Sequence, residues 1–259
     1  MSPLSNRVQF RVHLGARLLA ACEVRGHARR CVVARKALLP FSPGERAPAL
    51  QALREWVAPG GAASIEWVLG PADVRYLLVP WSHELADESL RDGVASALFE
   101  QRFREDAAAH AVRFAKARFG APQLAAFVAH ALVADLAAHA GEARLRLGSI
   151  APALATVWGR FGTVLGRERG VVHLVDGDRQ IAVRHERGRP LDIALRPFDD
   201  QRDPPMLAAP CEPGVRRCFS SWVPAGGAAS PAHGLMLNDG EGFDATADAA
   251  YAFALCGVF

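Results

Sequence analysis

The sequence predicts an α/β protein of two lobes, each with a mixed sheet that opens as a three-strand meander. Three observations carry this expectation. Apolar and polar residues alternate along 8–14, the two-residue period of a half-buried strand, and two more strands are expected at 18–24 and, rich in β-branched residues, at 31–39, each set off by a turn. A second trio of the same plan runs over 170–175, 181–185 and 191–195. The trios also echo each other in sequence, with Val12-His13-Leu14 before one tight turn and Val172-His173-Leu174 before the other. Such an internal repeat implies a duplicated architecture. The expected division is a first lobe at 1–122 and a second at 123–259, the second shortened and carrying a loop at 197–213.

Element by element, Gly15-Ala16-Arg17 turns the chain between the first two strands, and Arg25-Gly26-His27 turns it again. Pro40 ends the third strand. Ser42 and Glu45 have the spacing of a capping box, with Pro43 at the first helical position, so a helix is expected there. Leu50, Leu53, Trp56 and Val57 form its apolar face, and Pro59-Gly60-Gly61 stops it. Strands follow at 64–69 and 74–79, the latter closed by Pro80-Trp81. Leu90, Val94, Leu98, Phe99 and Phe103 keep helical spacing. A strand is expected at 111–117, then a strand at 124–128, a helix at 129–140 and a strand at 145–150. Leu154, Val157, Trp158 and Phe161 mark another helix. Asp176-Gly177-Asp178 is a hairpin signal, and Gly188-Arg189-Pro190 a second turn. Residues 217–223 are an expected strand, and 248–259 a closing apolar helix.

Composition bounds the function. Of 259 residues 51% are hydrophobic, enough for a core without disulfides or a structural metal. The net charge is +3, too small to point to nucleic acid. Of the 30 basic residues only Lys36 and Lys116 are lysines. The arginines are expected to be mainly solvated surface and ion pairs, with a phosphate-binding or anionic-lipid-facing patch as the minority alternative. Five cysteines without a C-x-x-C pair suit a reducing compartment. The N-terminus lacks a secretory apolar core, and no run of about 18 uncharged apolar residues occurs. A cytoplasmic protein without direct membrane insertion is therefore expected.

Several chemistries are excluded by motif. There is no G-K-[ST], G-x-G-x-x-G, H-E-x-x-H or G-x-S-x-G. The nine histidines show no ligand spacing with acids, and Asp239, Glu241, Asp244 and Asp248 lack the spacing of a calcium loop. That acidic group is expected to cap the last helix. The tryptophans are expected in the core, with Trp81, at a strand end, able to line a partner groove.

Three further segments carry a family resemblance. They are Arg75-Tyr76-Leu77-Leu78-Val79-Pro80-Trp81-Ser82, the run 124–161 with Pro152 opening its last helix, and Ala250-Tyr251-Ala252-Phe253-Ala254-Leu255. In this order, with the meanders, the chain resembles the actin-like pilus-assembly protein PilM and the cytoplasmic part of the type II secretion protein GspL. The resemblance implies an actin-like, ribonuclease-H-like duplicated fold in which the first turn of each lobe cradles phosphates. The residues it maps there are Gly15, Ala16, Arg17 and Gly177, with Gly226 and Gly227 at the place of the adenosine-contact glycines. It also implies a partner, the cytoplasmic tail of a single-span inner-membrane assembly protein, bound in a groove for which Trp81 and Arg75 are candidates, together with other pilus or secretion components. The chain departs from the ATP-binding pattern: His13 and His173 stand where a magnesium-associated carboxylate is expected. Neutral histidine is a poor ligand for that hard cation. The expectation is a non-catalytic scaffold with no cofactor and no metal. The alternative is a small actin-fold ATPase or phosphotransferase, with ATP and magnesium between the lobes and Asp176 and Asp178 as its acids.

Overall fold

Alternating side chains lay down the first sheet. β1 (Val8–Leu14) pairs antiparallel with β2 (Leu18–His27), and β2 with β3 (Arg30–Pro40). The computed structural model describes residues 8–27, 30–57, 63–116, 119–198, 214–221 and 234–259. After α1 (Ala47–Val57), β4 (Ser64–Leu69) returns parallel to β1. The expected capping box does not open α1. Glu45 N–H donates to the Ser42 carbonyl, and Gly44 has φ of +83°, so these residues form a turn and the helix begins at Ala47.

The chain then leaves this sheet to build a second, smaller layer. β5 (Arg75–Val79), α2 (Glu88–Phe103), β6 (His110–Phe114) and β7 (Gln123–Ala129) form a three-stranded antiparallel sheet of order β5-β7-β6 with one helix against it. Leu77, Val79, Phe99, Ala125 and Phe127 make its own core, where Phe99 stacks on Phe127 at 4.3 Å. Asp87 caps α2 by accepting from Leu90 N–H, and Arg104 ends it with φ of +59°.

α3 (His130–Glu142) leads back to β8 (Arg146–Pro152), which lies parallel to β4 and completes the order β3-β2-β1-β4-β8. The division expected at 122/123 thus falls between β6 and β7, which pair with each other, and assigns β8 away from the sheet it joins. The local pattern of a strand does not encode its partner.

α4 (Ala153–Leu165) crosses to the second lobe, placing Leu154, Val157, Phe161 and Leu165 in the core. There β9 (Arg169–Asp176), β10 (Arg179–Glu186) and β11 (Arg189–Pro197) form the second meander, and β12 (Val215–Ser220) runs parallel to β9. The order β11-β10-β9-β12 repeats β3-β2-β1-β4, so the duplication expected from the meanders is present in the strand pairing. α5 (Ala252–Leu255), after a single 3-10 turn at Ala249–Tyr251, is shorter than the closing helix expected, because Gly257 takes φ of +94° and turns the chain away. Even so, all four residues of α5 are buried in the main core with Trp67, Leu174 and Phe219.

Candidate functional site

The strand ends that close the two meanders meet at one place. β1 delivers Leu14 and the turn 15–17, and β4 delivers Gly70. From the second lobe β9 delivers Asp176, and Ser221 follows β12. Asp176 is 5% exposed and lies against two glycines of the first lobe. A Cβ on Gly15 would stand 3.0 Å from Asp176 Oδ1, and a Cβ on Gly70 only 2.3 Å from Oδ2. Glycine at both positions is what lets this carboxylate reach across. His13 Nε2 lies 3.5 Å from Asp176 Oδ2, and its ring stacks on Phe253 at 4.8 Å. Neither of those two atoms has a hydrogen-bond partner. The Ser221 hydroxyl donates to Asp176 Oδ1 at 3.4 Å.

The turns themselves face each other closely. A Cβ on Gly177 would lie 3.9 Å from the Ala16 Cβ, and Arg17 pairs with Asp178 at 3.4 Å in the open. Gly15, Ala16, Arg17 and Gly177 are therefore brought together, as the resemblance implied, but against each other. Gly226 and Gly227 lie outside the described residues, as do 199–213 of the expected loop. A second carboxylate, Asp73, stands behind the first. Burial lifts its pKa above the ordinary range and the nearby Asp176 adds to the rise, against the pull of Arg46. Among the described residues no three His, Cys, Asp or Glu side chains are grouped as a metal site would require.

His173 is not part of this seam. It points to the opposite face of β9 from Leu174, bonded to Gln180, and burial drives its pKa down to about 4. Arg11, on β1 two residues before His13, is buried and donates Nε to the Ala254 carbonyl at 2.7 Å and Nη2 to the Cys256 carbonyl at 3.1 Å. Its Nη1 meets Glu66 at 2.8 Å. This clamp holds α5, and with it Phe253, against His13. The described cysteines are free, and burial raises the thiols of Cys22 to about 12 and of Cys218 and Cys256 to about 11, which keeps these three protonated.

The partner candidates are separate from the seam and from each other. Arg75 is held by Glu105 at 3.2 Å and by the Ala72 carbonyl, whereas Trp81 is 42% exposed beyond the other end of β5. Trp81 packs edge-on to Phe119, itself 82% exposed, at 4.9 Å. Along the whole of β6 a groove of about 690 Å³ runs between it and α2, lined by Arg91, His110, Arg113, Phe114 and Gln123, and its Phe114–Gln123 end lies toward Trp81. β6 is the edge of its sheet.

No known family's sequence profile matches the chain, and no curated protein sequence matches it. Solved structures do. The chain superposes over 97% of its length on 95% of the cytoplasmic domain of EpsL, an inner-membrane component of the type II secretion system of Vibrio cholerae, at TM-score 0.58 and 13% identity. Here the strand order decides. The fold is actin-like. Two more structures agree with that assignment. The PilM–PilN type IV pilus biogenesis complex matches over 74% of this chain and 62% of that one, at TM-score 0.52 and 16% identity. A Bacteroides thetaiotaomicron protein of unknown function with an actin-like ATPase fold matches over 76% and 73%, at TM-score 0.51 and 11% identity.

Within this actin-like frame, the sequence pointed to the two turns that meet at the seam and not to Gly70, Ser221 or the contact of Phe253 with His13. Only Gly70 left a signal, as a Gly-Pro pair directly after a strand.

Proposed function

We propose that the chain is a non-catalytic actin-like scaffold at the cytoplasmic face of an inner membrane, serving a type IV pilus or type II secretion-like machine. The observation that carries this reading is the seam. Where a nucleotide-binding relative would hold a triphosphate, the two turns face each other with room for little more than a methyl group between Gly177 and Ala16, and Asp176 fills the space above Gly15 and Gly70. The donor set suits magnesium poorly, with Asp176 beside an imidazole and the second carboxylate, Asp73, engaged by Arg46. The EpsL and PilM–PilN likenesses add support at the level of fold. In this reading the partner is the cytoplasmic tail of a single-span membrane protein. The tail adds to the β6 edge as an extended strand, with side chains in the α2 groove and against Trp81 and Phe119.

The second reading, an ATPase or phosphotransferase, rests on Asp176, whose Oδ2 has no hydrogen-bond partner and faces the first-lobe turn. Thermal unfolding in millimolar magnesium-ATP separates the two. The scaffold reading expects no shift in Tm. A Kd of about 100 μM or tighter would raise stability measurably and favour the enzyme. Titration of synthetic tails from single-span proteins encoded beside the gene tests the partner. Binding that is lost in Trp81→Ala supports it, and no binding by any such tail overturns it.

A further inference from the structure

At the end of the second lobe away from the seam, two turns lie against each other. One joins α4 to β9, and the other joins β10 to β11. Arg187 N–H donates to the Glu168 carbonyl at 2.7 Å, and a Cβ on Gly188 would lie 3.4 Å from the Gly166 Cα. The register adds Arg169 opposite Glu186, and Glu186 opposite Arg189. Arg167, Arg169, Arg187 and Arg189 are thereby gathered at one end, all exposed, and none has an ion-pair partner. Glu186 is the one exposed acid within the two turns, because the Glu168 carboxylate is engaged by Arg217. Arginine in the second turn is not demanded by the backbone: residue 187 has φ of +48° and Gly188 +72°, a conformation that Asn-Gly adopts more readily.

Apolar side chains flank the cluster. Val164, in the last turn of α4, is 39% exposed, and Leu191 is 37% exposed. Leu191 is the extra residue of a bulge, since Asp192 pairs with Arg184 and Pro190 with His185.

We infer that this end of the second lobe docks on an anionic bilayer surface. Guanidinium groups take lipid phosphates bidentately, and two exposed aliphatic side chains beside them suit the boundary between headgroups and acyl chains. An acidic peptide would gain from the charge but would leave Val164 and Leu191 uncovered. The contact is superficial, since no described helix is long and apolar enough to cross a membrane. It stands on different residues from the tail groove, so either can fail alone.

The test is co-sedimentation of the full chain with phosphatidylcholine vesicles, with and without about one-third phosphatidylglycerol. Binding is expected only to the anionic vesicles and falls steeply between low and physiological salt. Each arginine neutralised costs about fivefold in affinity, so Arg187→Gln with Arg189→Gln lowers it about 25-fold at an unchanged Tm. Lys116→Gln, an exposed cation on the small sheet, leaves it unchanged. Failure to bind anionic vesicles overturns the inference. So does an equal loss in Lys116→Gln, or binding of a poly-glutamate peptide that depends on Arg187 and Arg189 when vesicle binding does not.

Discussion

Position 10 of the first sheet and position 170 of the second are equivalent by the internal repeat, yet one is Phe and the other Gly. Phe10 is buried and meets Trp56 edge-on at 5.7 Å. At Gly170 the β12 backbone presses in so closely that a Cβ would lie 1.7 Å from the Val215 carbonyl oxygen. The turns that follow differ as well, small and basic in Gly15-Ala16-Arg17, acidic in Asp176-Gly177-Asp178. One strand order tolerates both fillings because the order is held by main-chain pairing, while the side chains set how the lobes meet. Here they meet by complementarity of charge and size. The first sheet, moreover, is closed by α5 through Arg11, and the second has no such clamp among its described residues.

The sharpest way to break this contrast is Arg11→Ala. It leaves Glu66 and two carbonyls without their donor and is expected to cost about 3–5 kcal/mol in chemical denaturation. A loss under about 1 kcal/mol would mean that α5 is held by apolar packing alone.

The second lobe offers an acid-sensitive counterpart. His173 has a folded-state pKa depressed to about 4, below the ordinary 6.5. The unfolded chain therefore binds the proton first, and stability is full above about pH 6.5 and falls as pH drops toward 4. The loss is about 3 kcal/mol at the low end. His173→Gln should flatten that part of the curve, as read by urea midpoints from pH 7 to pH 4. An unchanged slope would show that other groups carry the acid sensitivity.

Contact across the seam is tested by a cycle. Gly70→Ala alone drives a methyl into Asp176 Oδ2 and should cost about 1–3 kcal/mol. In an Asp176→Ala background the carboxylate is gone, and the same change should cost distinctly less, the residue being the approach to the Leu14 carbonyl. Additivity of the two changes would mean that the lobes stand apart in solution. The smallest effect belongs to Arg17→Ala, which removes an exposed pair with Asp178. It should change stability by less than about 1 kcal/mol, with the difference vanishing in high salt.

The meanders were legible in the sequence because antiparallel neighbours joined by tight turns are local and the turn residues mark where each strand ends, although β1 and β9 are buried on both faces. The actin-like assignment followed from their repetition. The small sheet of β5, β7 and β6 was not legible as a separate layer. Its strands carry the same pattern as any others, and only long-range pairing tells that β8 belongs with β4 while β7 belongs with β5. At the start of α1 the local signal misled, since Gly44 converts a capping-box spacing into a turn. Of the seam, the turn residues were legible from their type and place. Gly70 showed only as a Gly-Pro pair after a strand, and Ser221 and the role of Phe253 did not show, because each matters through what another lobe or a distant segment brings to it. Trp67 is fully buried as expected of a tryptophan, whereas Trp81 is exposed, as its position after Pro80 at a strand end allowed.

The clamp at Arg11 spans 243 residues of sequence between its guanidinium and the Ala254 carbonyl. During synthesis β1 to β4 leave the ribosome long before the segment that covers them. Until Phe253 and its neighbours arrive, the inner face of the N-terminal sheet stays wet and the Arg11 charge stays hydrated. Such non-local closure is slow, and it leaves an adhesive nascent intermediate that chaperones recognise. The segment around Ala254 thus decides when β1, made long before it, becomes native.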